Sequence, residues 1–271
     1  MQLAIGENAW WGTSVDRVEG IKATSEIGFD GYSIFPVDLT PQLRRSMREA
    51  LNSSKMVPST FTTVVTSLAD WNADVRKFTV DWAKSQVDIG YDFGFKIMIM
   101  VPGEYVWAKQ EIDPKVQWNW LLEGVREIAD YAKSLGMVIG LEAETPVYSI
   151  LRTVDTLVKF VDDAQHPAVK ANVDTVHMFV LGDTPQEMKR LKGKLVDVHL
   201  ADTNEKVHHH HPPGSGIIPL REYLKALKEM EFEGPVNVEI EWTPYPDKIH
   251  EWVRDAYTAT TKMFEELGIP R

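Results

Sequence analysis

Short apolar, β-branched segments alternate with longer amphipathic ones along the whole chain, with no linker, low-complexity tract or change of composition between them. The strand-like segments are LAIGEN (3–8), GYSIFP (31–36), MVPSTFTT (56–63), KIMIMVPG (96–103), MVIGLEAET (137–145), VKANVDT (169–175), LVDVHLADT (195–203) and PVNVEIEW (235–242). Between them run segments such as SVDRVEGIKATSEIG, DVRKFTVDWAKSQVDIG and WNWLLEGVREIADYAKSLG, with apolar residues three and four apart and a glycine near each end. Eight such units in 271 residues predict a (β/α)8 TIM barrel, one α/β domain over 1–271, with the last helix, from DKIHEWV to EELG, returning the chain to its start. A doubly wound open sheet is the weaker expectation, since neither GxGxxG nor GxxxxGK[ST] occurs.

Composition narrows the chemistry. With no cysteine, a metal must be held by oxygen and imidazole. A net charge of -11 without a basic stripe argues against a nucleic-acid partner. The longest apolar run, IMIMV, is too short to span a bilayer, so no membrane partner and a cytoplasmic location are expected. Nine tryptophans and eight tyrosines exceed what packing needs and suit a pocket for sugar rings, although most are expected in the core.

In a TIM barrel the functional residues gather at the carboxyl ends of the strands. Strands five to eight end GLEAET, NVDTVH, DVHLADT and NVEIEW, each with a carboxylate or imidazole inside an apolar run. Such side chains are costly to bury unless paired or bound to a cation. Glu142, Asp174, His199 and Glu239 therefore form a candidate set of metal ligands. Three carboxylates and an imidazole suit one divalent ion, Mn²⁺ foremost, with Mg²⁺, Co²⁺, Fe²⁺ or Zn²⁺ open. Side chains of a strand repeat every second residue, so Glu144 shares a face with Glu142 and Glu241 with Glu239, and either member of each pair is a candidate ligand.

The set LE in strand five, DTxH in strand six, VHLxD followed by PGxG in strand seven, and VEI in strand eight resembles the xylose isomerase-like TIM-barrel superfamily of sugar phosphate isomerases and epimerases. The resemblance covers nearly the whole chain. It selects Glu142, Asp174, His199 and Glu239 as the ligands of a single metal, and it places His177 at a position that contacts substrate or the metal's oxygen ligands. It also implies that Glu142 and Glu239 act on opposite faces of a carbohydrate substrate, a ketose or related polyol or keto-sugar, and that the chain forms a homodimer or homotetramer. Moving a proton beside a carbonyl needs a base, an acid and a cation that stabilises the enediolate oxygen, which this residue set supplies.

Departures from the pattern leave other chemistry open. Ketose 3-epimerases carry an arginine soon after the strand-seven histidine, where this chain has Asp202, Thr203, Asn204, Glu205 and Lys206. Lys206 is the nearest substitute, without the planar fork of arginine. Inosose dehydratase-like chemistry or lysis of an oxidised glycoside is the runner-up, and a sugar- or metal-binding barrel without turnover is the alternative of another class. An endonuclease IV-type repair enzyme is not expected, because the first histidine is His166 and residues 1–165 hold none of the required imidazoles.

Trp11, with Trp10, follows strand one and Phe61 ends strand three, so both are expected at the mouth, covering substrate or capping the rim; Glu104, Tyr105 and Trp107 after strand four take the same two readings. Lys96, His166 and His250 are expected on the surface. The conspicuous run from His208 to His211 precedes Pro213, Gly214 and Gly216, which match the PGxG turn. It is expected to form a solvated or substrate-covering loop, with His208 and His210 as loop contacts, rather than a second metal site, because consecutive histidines cannot all face one ion. Asp202 is expected to support the site or touch substrate.

Overall fold

The structure, a computed structural model, describes residues 1–102, 112–241 and 243–271. Eight strands, β1 (Gln2–Gly6), β2 (Gly31–Ile34), β3 (Val57–Val65), β4 (Ile97–Pro102), β5 (Val138–Glu142), β6 (Val169–Asp174), β7 (Leu195–Leu200) and β8 (Pro235–Val238), close into one barrel in chain order. Every neighbouring pair is parallel, and β8 returns to β1 through Leu3 opposite Val236 and Ile5 opposite Val238. The expected (β/α)8 TIM barrel is the fold.

The helices that form the outer layer are α1 (Arg17–Ile27), α2 (Pro41–Ser53), α3 (Ala73–Phe93), α4 (Pro114–Ser134), α5 (Val154–Ala164), α6 (Thr175–Leu181), α7 (Pro185–Met188), α8 (Leu220–Glu229) and α9 (Ile249–Leu267). Local chemistry sets their ends. Asp16 accepts from the backbone N–H groups of Val18 and Glu19 at the start of α1, Asn72 caps α3, and Thr153 forms a capping box with Thr156 on α5. Helix α3 runs past Gly90 and stops at Gly94, whose φ of 89° is the left-handed conformation glycine adopts without strain. Gly90 serves a different purpose: a Cβ there would stand 2.1 Å from the Phe61 ring, so its absence lets α3 close on β3.

The core fills the space between barrel and helices, with Leu3, Ile5, Ile34, Met98, Leu141, Val198 and Val236 fully buried. The barrel interior is partly polar. Ser33 donates to Asn237 Oδ1 (2.6 Å) and pairs with Thr60 (2.9 Å), while Asn237 Nδ2 donates to Asp197 Oδ1 (2.6 Å). This chain of buried hydrogen bonds rises through the barrel to the side chains at its mouth. No helix among the described residues is long and apolar enough to cross a membrane.

Candidate metal centre at the barrel mouth

Four successive strands deliver one polar side chain each to the same point. Glu142 is the last residue of β5, Asp174 the last of β6, His199 the penultimate residue of β7, and Glu239 follows β8 directly, its N–H donating to Leu200 O (3.1 Å). All four are buried, and one oxygen or nitrogen of each lies within 4.8 Å of the others. Asp174 is also the N-cap of α6; its Oδ1 accepts from the N–H groups of Val176 (2.6 Å) and His177 (2.8 Å), which leaves Oδ2 facing the cluster.

His199 sits between carboxylates. Its Nδ1 is 2.8 Å from Glu142 Oε1 and 3.0 Å from Glu239 Oε2, and its Nε2 is 3.3 Å from Asp197 Oδ2. Asn8, on the turn after β1, donates to Glu239 Oε1 (2.7 Å). Burial disfavours a charge on His199, but the facing Glu142 and Glu239 carboxylates overcome it and raise the imidazole well above its usual range. Burial raises Glu142 to about 7, against the lowering effect of His199. For Asp174 and Glu239 burial is outweighed, by His210 and His177 in the first case and by His199 in the second, and both carboxyls are held below their usual range. A buried group of three carboxylates balanced by imidazoles is a donor set that a divalent cation fits, with Asp197 fixing the His199 ring from behind.

A second tier lies above the cluster. Glu144 is 3.4 Å from His177 Nε2, and Glu241 Oε2 is 3.1 Å from His210 Nδ1. His210 Nε2 reaches Asp174 Oδ2 (3.2 Å) and Glu239 Oε2 (3.8 Å). Thus Glu142 and Glu239, rather than Glu144 and Glu241, meet Asp174 and His199.

The histidine run is therefore not a uniformly solvated loop. An antiparallel bridge between Asp202 and His211 (2.8 and 2.9 Å) fixes its phase, and Glu241 N donates to His210 O (3.1 Å). Alternate residues face opposite ways, as in any extended segment: His210 is buried in the site and the His208 ring lies tilted against His177 at 4.5 Å, whereas His209 stacks on His211 outside. Asp202 holds this arrangement. Its Oδ2 accepts from Gly214 N and Gly216 N (3.0 Å each), and its Oδ1 from Ile218 N (3.0 Å) and Thr203 N (2.9 Å). With its oxygens used by four backbone N–H groups, Asp202 is the anchor of the loop, not a substrate contact.

Other expected contacts fall elsewhere. Phe61 is mid-strand and fully buried against Gly90 and Phe95, pointing to the helix layer rather than the mouth, because the neighbouring Thr60 takes the interior direction. Lys206 is exposed on the loop and is not brought to the cluster. Trp11 packs edge-on against Phe35 (4.7 Å), and Trp10 is buried on Gly20 and His250. His166 and His250 are half-buried rather than on the surface, His166 against Asp130 (3.1 Å). Glu104, Tyr105 and Trp107 lie outside the described residues. Sequence reasoning missed Asn8 and Asp197 as neighbours of the centre and named His210 only as a loop contact; of the two missed, Asp197 left a signal, a carboxylate two residues before His199 on the same strand face.

The family model for the xylose isomerase-like TIM barrel matches residues 21–261. The chain belongs to this family. Among its relatives, the fructoselysine 3-epimerase of Shigella flexneri is 25% identical over 231 residues, 80% of this chain and 82% of that protein. The D-psicose 3-epimerase of Clostridium cellulolyticum H10, solved with D-tagatose, superposes with a TM-score of 0.82 at 21% identity over 98% of this chain and 99% of its own. The IOLI protein, solved with a zinc atom, gives a TM-score of 0.85 at 20% identity, again over 98% and 99%. As a member of the xylose isomerase-like family, the chain places its polar cluster at the end of the barrel where the fold keeps its chemistry.

Proposed function

We propose that this chain is a divalent-metal-dependent sugar epimerase or isomerase that moves a proton beside the carbonyl of a ketose. One observation carries the reading: two buried glutamates, Glu142 and Glu239, converge on one nitrogen of His199 at 2.8 and 3.0 Å, from strands separated by two others. A pair of carboxylates held this way provides a base that removes a proton and an acid that returns one. The relatives named as fructoselysine and D-psicose 3-epimerases support a ketose as substrate.

Glu142, Asp174, His199 and Glu239 would hold the ion, and three hard oxygen donors to one nitrogen favour Mn²⁺ among the candidate metals. When bound, the cation supplies positive charge that polarises the substrate carbonyl and stabilises charge developing on its oxygen. In this reading Glu142 and Glu239 exchange the proton at the substrate carbon, one on each face. Asn8 orients Glu239 through its 2.7 Å hydrogen bond, and Asp197 orients His199. His177 and His210 line the approach and direct substrate hydroxyls, and Trp11 and Lys206 lie farther out, on the rim and the loop.

The test is solvent exchange. The manganese-loaded protein in D₂O, offered a panel of ketoses and inososes, is expected to introduce deuterium beside the carbonyl of at least one ketose. Glu142→Gln and Glu239→Gln are each expected to lower that rate by at least ~100-fold, the scale of a lost general acid or base. Metal binding with no exchange into any ketose would leave a binding protein instead.

A further inference from the structure

Four polar side chains meet inside the barrel below the carboxylate cluster. Ser33 comes from β2, Thr60 from β3, Asp197 from β7 and Asn237 from β8, and all four are buried. The interior of such a barrel is ordinarily filled by branched apolar side chains, so a polar group at this depth calls for a reason. Strands β2 and β3 supply none of Glu142, Asp174, His199 and Glu239, yet the hydrogen bonds of Ser33 and Thr60 lead toward that set.

The direction of each hydrogen bond is fixed from one end. Asp197 Oδ1 is an acceptor, so Asn237 turns its amide nitrogen toward it (2.6 Å). The Asn237 oxygen then faces the other way and takes the Ser33 proton (2.6 Å). With that proton used, Thr60 donates to Ser33 (2.9 Å), and Thr60 Oγ1 accepts from Asn237 Nδ2 at 3.4 Å. Both ends of the Asn237 amide are engaged, which leaves its plane one orientation. The second oxygen of Asp197, Oδ2, has no partner among the described residues other than His199 Nε2, 3.3 Å away. A buried network with its donors and acceptors matched in this way makes rigid the groups it connects.

We propose that Thr60, Ser33 and Asn237 are positioning residues for His199 and act through Asp197. None of the three hydrogen-bonds to the cluster itself. Together they hold the Asp197 carboxylate so that Oδ2 stands behind the imidazole and Nδ1 looks toward Glu142 Oε1 and Glu239 Oε2. A carboxylate orients a metal-binding imidazole well only when it is itself hydrogen-bonded. Strands β2 and β3 thus contribute to the centre although no candidate ligand stands on them. The effect on metal affinity rests on the reading of His199 as a ligand; the orientation of its ring is measurable without metal.

Thr60→Val keeps the shape of the side chain and removes the hydroxyl at the far end of the network. The first readout is nuclear magnetic resonance of the metal-free full chain labelled with ¹⁵N-histidine, with the His199 ring signals assigned by their loss in His199→Asn. Those signals are expected to shift in Thr60→Val. The second readout is Mn²⁺ affinity, expected to fall about 10-fold, the low end of the loss when a ligand's supporting partner is changed. Thr60→Ser keeps the hydroxyl and is expected to match the parent in both. Thr63→Val is the control, because Thr63 is buried on the same strand with a hydroxyl that has no partner among the described residues; it too is expected to match the parent. Should Thr60→Val not fold, Ser33→Ala gives the same two readings. Parent-like ring signals in Thr60→Val overturn the proposal, as do shifted signals with parent-like Mn²⁺ affinity. An equal change in Thr60→Ser or Thr63→Val also overturns it, because it marks a general loosening of the barrel. If the parent binds no Mn²⁺, the metal reading fails and the ring signals alone decide.

Discussion

Asp197 stands behind His199, its Oδ2 3.3 Å from the ring Nε2, on the side away from Glu142 and Glu239. The carboxylate is fully buried and its other oxygen accepts from Asn237 Nδ2 at 2.6 Å. Asp197 therefore backs Nε2 of His199 and leaves Nδ1, which faces Glu142 and Glu239, as the nitrogen that would give up its proton to a bound cation. Asp197→Asn preserves the size and removes the charge, and is expected to weaken Mn²⁺ binding about 10- to 100-fold, the usual loss when such a partner is changed. Titration of free Mn²⁺ by electron paramagnetic resonance measures this; unchanged affinity would show that the ring is oriented by packing alone.

Gly216 is the tightest point of the loop that carries the histidines. A Cβ there would stand 2.3 Å from Thr203 O and 2.4 Å from Asp202 Oδ1. Gly216→Ala must push the turn off Asp202 and strip hydrogen bonds from a buried carboxylate, at a cost of about 1–3 kcal/mol. The expected outcome is a lower urea midpoint together with faster amide exchange at Gly214, Gly216 and Ile218. Faster exchange confined to those amides would mean that the loop opens without the barrel.

All eight strands were legible because each is a short apolar segment bounded by turn residues, and β5 to β8 advertised the candidate metal centre because each breaks its apolar run with a charge. Which member of each Glu pair meets the imidazole depends on where the strand ends, and that is set by the barrel's closure. The histidine run was legible as a loop with His208 and His210 as its contacts, but not the reason those two turn inward. Its inward and outward phase comes from the Asp202 to His211 bridge, a contact that no local pattern predicts. Phe61 lay in a strand that continues to Val65, so what looked like a strand end at the mouth is a core position.

The Phe61 position gives a prediction of its own. Gly90 is the only residue type that lets α3 approach the ring this closely, with a Cβ 2.1 Å from its edge. Gly90→Ala overfills a packed core and is expected to cost about 1–3 kcal/mol of stability. Pairing it with Phe61→Leu should recover part of that loss, since the smaller side chain vacates the colliding edge. A double-mutant cycle in urea reads the coupling; strictly additive losses would mean that the two residues do not share the strain.

Glu142 makes the stability of the metal-free protein fall as pH rises. Burial raises its carboxyl to about 7 from an ordinary value of 4.5. Between those values the folded chain keeps a proton that the unfolded chain has released, so the stability from protonated Glu142 is complete below the lower value and lost as pH climbs through the upper one. Glu142→Gln cannot ionise, and in chelator its melting temperature should decline less than that of the parent between pH 5 and pH 7.5. Metal reverses the sign, because the cation needs the ionised carboxylate. The rise in melting temperature on adding Mn²⁺ should grow with pH over that window, corresponding to about 2.7 kcal/mol when free metal is one hundred times its dissociation constant. In Glu142→Gln the rise should be small at every pH. Parallel chelator profiles for parent and variant would show that Glu142 is already ionised in the metal-free fold, with His199 as its counter-charge.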